Sequence, residues 1–83
     1  MGEQLVGTVS HFFTNAKVAA IELIGELRVG DTIHIVGHTS DFSQEVASMQ
    51  IEHQAVERAT RGDHIGVAVK SKARQNDNVY RVD

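Results

Sequence analysis

Apolar positions along the chain recur at every second residue, are interrupted at short intervals by turn residues, and favour β-branched side chains. That period belongs to strands rather than helices. Leu5-Val6-Gly7-Thr8-Val9 reads as a first strand running on through Ser10-His11-Phe12-Phe13. Thr14-Asn15-Ala16 makes a turn, and Lys17 to Leu23 returns as the hairpin partner. Thr32 to Val36 is a third strand, with Ile33 and Ile35 on one face and Thr32, His34 and Val36 on the other. Gly37 to Ser43 reads as a polar loop, and Gln44 to Ile51 as a fourth strand with Val46, Ser48 and Gln50 opposite Ala47, Met49 and Ile51. His64 to Arg74 is expected as one long strand, after which Asn76-Asp77-Asn78 turns the chain into a short last strand, Val79 to Val82. Gln54 to Ala59 has the composition of a helical turn but is too short to stand as a helix. It reads as a connection carrying Val56 inward.

One pattern repeats. Gly30-Asp31 precedes the strand beginning at Thr32, and Gly62-Asp63 precedes the one beginning at His64. Glycine supplies a positive φ where the chain reverses, and the Asp carboxylate is placed to accept from backbone N–H groups just beyond it. An open sheet of this size leaves edges that pair with other chains, and closure into a barrel removes them. The expected fold is therefore all-β and closed. Val67 and Val69 should line the core with Ile33 and Ile35, and of the adjacent Phe12 and Phe13 one should be buried and the other exposed.

Eighty-three residues suffice for a single domain, residues 1–83, and with no cysteine neither disulfides nor thiolate zinc sites can reinforce it. The N-terminal residues lack the basic and apolar regions of a signal peptide, Val6 stands where a myristoylation motif wants Ser or Thr, and no apolar run is long enough to span a bilayer. The cytoplasm is the expected compartment.

Gly7-Thr8-Val9, Gly25 to Gly37, Val46 to Ile51 and Arg61-Gly62-Asp63-His64-Ile65-Gly66-Val67 together resemble the second domain of translational GTPases such as elongation factor Tu. They are most similar to small stand-alone translation elongation factor-like proteins. The resemblance runs from about residue 5 to residue 82, and it implies a six-stranded, largely antiparallel β-barrel. It does not carry over a nucleotide site, because no G-x-x-x-x-G-K-[ST] loop is present to cradle phosphates. Nor does it carry over an aminoacyl pocket, because only Met1 to Val6 precede Gly7-Thr8-Val9, and Ser10 to Ile24 is longer than its counterpart. A similar barrel also resembles the accessory C-terminal domain of U32-family peptidases.

Candidate chemistry is sparse. His34 and His38 are four apart but separated by Gly37, with no carboxylate or thiolate at ligand spacing, so neither a metal nor any other cofactor is expected. Ser10-His11 and Asp41-Phe42-Ser43 have the side chains of a hydrolase without a nucleophile elbow or oxyanion pocket, which points to a non-enzymatic binding module with no catalytic residues. Charge changes this picture in one place. The net charge is −3, with −5 on residues 1–60 and +2 on residues 61–83. On a strand, Lys70, Lys72 and Arg74 would share one face, with Arg61 at the other end. That ribbon is the candidate nucleic-acid contact, and it fits an RNA or ribosomal partner. The competing reading of the same cations is a solvated strand face on a protein-interaction or accessory domain whose partner is another protein.

Overall fold

The computed structural model describes residues 2–83. More than half of them lie in ten strands: β1 (Glu3–Phe13), β2 (Val18–Leu23), β3 (Leu27–Arg28), β4 (Thr32–Val36), β5 (Asp41–Glu45), β6 (Met49–Ile51), β7 (Gln54–Val56), β8 (Arg58–Ala59), β9 (His64–Ala68) and β10 (Asn78–Val82). Among the described residues there is no helix, hence none long and apolar enough to cross a membrane. The all-β expectation holds.

Eight strands form one antiparallel sheet in the order β5-β4-β10-β1-β2-β9-β6-β7, and β3 pairs with β8 in a separate two-stranded sheet. The sheet is open, ending at β5 and β7, so the expected closed six-stranded barrel is corrected. The extra strands come from stretches whose sequence hides them. By its sequence Asp41 to Glu45 is the end of a polar loop and the start of a long strand, yet it pairs in full register with β4, from Thr32↔Glu45 to Val36↔Asp41. Gln54 to Val56, read as a connection, is the return arm of a hairpin with β6.

β1 is long enough to serve two partners. Its first half pairs with β10 and its second with β2, with register shifts between Leu5 and Gly7 and between Val9 and His11. The first shift brings both Val6 and Gly7 inward. A Cβ on Gly7 would lie 2.7 Å from the Glu22 carbonyl oxygen and 2.9 Å from Ile21 Cγ2, so only glycine lets β1 and β2 meet this closely.

The core holds Val9, Ile21, Ile33, Ile35, Val67 and Val79, all fully buried, and Val69 at 5% exposure. Each such aliphatic side chain removes enough apolar surface from water to favour folding by about 1.5–3 kcal/mol. Phe12 packs against this core while Phe13 remains 50% exposed, as the alternation predicts. One face assignment fails. The expected strand Gln44–Ile51 breaks at Val46, whose N–H donates to the Asp31 carbonyl and whose carbonyl accepts from Gly30 N–H, both at 2.8 Å. Tied sideways in this way, Val46 and Met49 both point inward although they are three residues apart.

The Gly-Asp repeat turns out to be threefold. Asp31, Asp63 and Asp77 each accept a hydrogen bond through Oδ2 from the backbone N–H three residues earlier, of Arg28 (2.9 Å), Thr60 (2.8 Å) and Arg74 (2.9 Å). Each Asp N–H donates in return to the carbonyl of that same residue, at 3.1, 3.0 and 3.1 Å. The carboxylate thus reaches backward, not to the residues beyond it as the sequence suggested. Before each Asp stands a residue of positive φ: Gly30 at 97°, Gly62 at 93° and Asn76 at 77°. That is the third position of a type II turn, open to glycine and tolerable for asparagine.

Candidate functional site

The turn at Thr60–Asp63 puts Arg61 at the start of β9, and Lys70 lies past its end. β9 stops at Ala68, so Lys70, Lys72 and Arg74 do not ride on a strand and no period-two ribbon exists. The reason is local. Val69 N–H donates to the Lys17 carbonyl and Lys70 N–H to the Gln44 side chain, which draws the chain out of the ladder. Buried Ala73 then pins the segment to the core. All four cationic residues are exposed, and among the described residues none of them forms an ion pair. Lys72 and Arg74 line one shallow surface together with His11 and Phe12.

The other sequence candidates have structural partners. Ser10 Oγ donates to the Ala20 carbonyl at 3.2 Å, and the His11 ring meets Phe13 edge-on at 4.5 Å between centroids. His34, on β4, lies between two carboxylates: Nδ1 is 2.9 Å from Glu3 Oε2, and Nε2 is 2.5 Å from Asp41 Oδ1. The hydrogen bonds to Asp41 and then Glu3 hold its pKa above the ordinary histidine value. Among the described residues no group of three or more His, Cys, Asp or Glu is arranged to hold a metal ion.

Two surfaces escaped the sequence. The first is a cleft of about 460 Å³ lined by Phe13, Val18, Ala20 and Ile65, with Glu52, His53 and His64 among its polar neighbours. Val18 and Ala20 on the outward side of β2 and Gly66 on that of β9 form its floor, with Ile65 buried beneath, and two hairpin turns flank it. One is Thr14–Lys17, where Lys17 has φ 53°; the other is the β6–β7 turn, where Glu52 and His53 have φ 51° and 66°. Consecutive positive φ at two central residues is the conformation of a type I′ hairpin, which normally takes Asn-Gly. Nothing in the Glu52-His53 pair signals it. The second surface surrounds Arg28 and Arg58, which face one another directly across β3 and β8.

No family model matches the chain. It is similar to an uncharacterized protease of Methanocaldococcus jannaschii, with 43% identity over 76 residues that make up 90% of this chain and 19% of that protein. It is also similar to a collagenase of Porphyromonas gingivalis, with 41% identity over 80 residues, 94% of this chain and 22% of that protein. The chain therefore spans about a fifth of the length of the curated relatives it matches. Among solved structures, the C-terminal domain of a U32 peptidase from Geobacillus thermoleovorans superposes with a TM-score of 0.90 at 16% identity, covering 96% of this chain and 93% of that one. Its selenomethionine variant gives 0.87, covering 92% and 96%. At that identity the likeness is one of fold.

These findings overturn the resemblance to a translation elongation factor-like protein and to the second domain of elongation factor Tu. The relatives are named for proteolysis, and the structural likeness is to a peptidase's C-terminal domain. The Gly-Asp motifs misled because they specify a backbone reversal, with glycine for φ and Asp for the N–H three residues back. Any sheet that turns in this way can use them. The accessory-domain alternative fits these relatives better than the translation reading does.

Proposed function

We propose that this chain is a non-enzymatic accessory domain of the kind found at the C-terminus of U32 peptidases, and that it recognises polypeptide. The carrying observation is one of proportion. Nine-tenths or more of the chain matches about a fifth of a protease and of a collagenase, and its fold matches the C-terminal domain of a U32 peptidase. The cleft beside Phe13 supports polypeptide as the occupant. Its lining is largely apolar, and an extended chain offers alternating side chains to such a surface.

The experiment measures binding and hydrolysis in parallel, using fluorescein-labelled gelatin and casein with the purified chain. Saturable binding without hydrolysis is expected, weakened in Phe13→Ser. Hydrolysis by the chain alone would make it an enzyme. Absence of binding to both polypeptides would remove the recognition role.

A further inference from the structure

The β3–β8 sheet is two residues long on each side, and its register leaves no freedom. Leu27 faces Ala59, both buried, so Arg28 and Arg58 must both point outward and directly oppose each other. Facing residues of an antiparallel pair have Cα atoms about 4.5–5.5 Å apart, and like charges so placed repel. Little relieves this pair. Arg28 reaches only Glu26, at 3.5 Å with both side chains well exposed, and among the described residues Arg58 has no ion-pair partner.

The backbone beneath is rigidly tied. Arg28 N–H donates to Asp31 Oδ2 at 2.9 Å, its carbonyl accepts from Asp31 N–H at 3.1 Å, and Val29 N–H donates to the Glu57 carbonyl at 2.9 Å. Arg28 and Arg58 line one concavity together with Val29, Val56 and Glu57. Val29 is among the few large apolar side chains left exposed, at 40%.

We propose that Arg28 and Arg58 form a binding site for the C-terminal carboxylate of a peptide, with Val29 and Val56 receiving its last side chain. Two guanidinium forks suit the two oxygens of a carboxylate, and charge-assisted bonds of this kind are the strong ones. Phosphate is the competing anion. The Glu57 carboxylate on the rim opposes a dianion more than a monoanion, and the flanking valines offer phosphate nothing. The site is argued from this chain's own residues and does not depend on the cleft beside Phe13. Failure of either leaves the other standing.

The test is an amide-resolved NMR titration of the whole chain at low salt with N-acetyl-Ala-Ala-Leu, its C-terminal amide, and inorganic phosphate. The free acid should bind saturably, shift Arg28, Val29 and Val56 to Arg58, and weaken as salt rises. The amide should not bind. Arg58→Gln and Arg28→Gln should each weaken binding about tenfold or more, the usual consequence of losing a charged hydrogen-bond partner. Their melting temperatures should stay near the parent's, because both side chains are exposed. Lys72→Gln, removing the same charge elsewhere, should bind as the parent does. Equal binding of acid and amide, shifts elsewhere, tighter binding of phosphate, or no saturation by the acid would each overturn the proposal.

Discussion

The Gln44 side chain accepts a hydrogen bond from the Lys70 backbone N–H at 2.8 Å while its own amide donates to the Ala68 carbonyl at 2.9 Å. Gln44 sits on β5, one end of the hydrogen-bonded sheet order, and Ala68 ends β9 on the far side of the molecule's strand sequence. One carboxamide therefore spans a seam that no strand pairing closes. It does what a ladder would do, for one residue.

Gln44→Ala should lower stability by about 1–2 kcal/mol, since two backbone groups lose their partner together. Gln44→Glu should cost at least as much, because a carboxylate oxygen would then face the Ala68 carbonyl. Urea denaturation checks both. A midpoint unchanged in either variant would show that the seam is held by the surrounding packing alone.

A second close fit lies between Gly37 and Asp77. Asp77 is nearly buried, and a Cβ on Gly37 would collide with its carboxylate. Gly37→Ala should therefore push Asp77 away from Arg74 N–H and cost about 1–3 kcal/mol, the usual range for overpacking. In a domain of this size that lowers the melting temperature by roughly 4–8 °C per kcal/mol. Gly25→Ala is the control, since its Cβ would meet nothing nearer than Val6 Cγ1 at 3.5 Å. Equal melting temperatures for the two variants would contradict the fit.

The same Asp77 shows how far the sequence could be read. Gly30-Asp31 and Gly62-Asp63 were recognisable because glycine flags positive φ. Asn76-Asp77 makes the same turn with asparagine and looked like an ordinary polar turn. Strands with buried alternation, β1, β2, β4 and β10, were legible for the same reason that they are stable. β5 was not. It is an end strand whose exposure alternates only between exposed and half-buried, so Phe42 is its lone large apolar residue. The expected strand His64 to Arg74 ends early because the end of β9 is set by Lys17 and Gln44, residues remote in sequence. The Arg28–Arg58 pair was invisible because it depends on register between segments thirty residues apart.

His34 should make stability depend on pH. A neutral imidazole carries one donor, so only the imidazolium donates to both Glu3 and Asp41. These bonds raise the folded-state pKa above 6.5. The stabilisation is accordingly complete below the unfolded value and is lost as pH rises through the raised folded value. The melting temperature should fall as pH rises above the ordinary histidine value of 6.5, and His34→Gln should flatten that slope. An equally steep fall in His34→Gln would assign it to other groups.

The last prediction concerns the β6–β7 turn. Glu52 and His53 both adopt positive φ, at 51° and 66°, where side chains with a Cβ are disfavoured by about 1–2 kcal/mol per residue. Asn-Gly is the pair this turn prefers, so replacing Glu52 and His53 together by Asn and Gly should stabilise the domain. Glycine's greater entropy when unfolded offsets part of the gain, leaving about 1 kcal/mol. Both native side chains also line the cleft beside Phe13, so the same variant should bind gelatin more weakly while melting at a higher temperature. Opposite movements of stability and binding would mean that the strained turn is kept for its contacts, as strained backbone at functional sites often is. A variant that gains stability and binds as well as the parent would remove Glu52 and His53 from the polypeptide surface and leave Phe13, Val18 and Ala20 to form it.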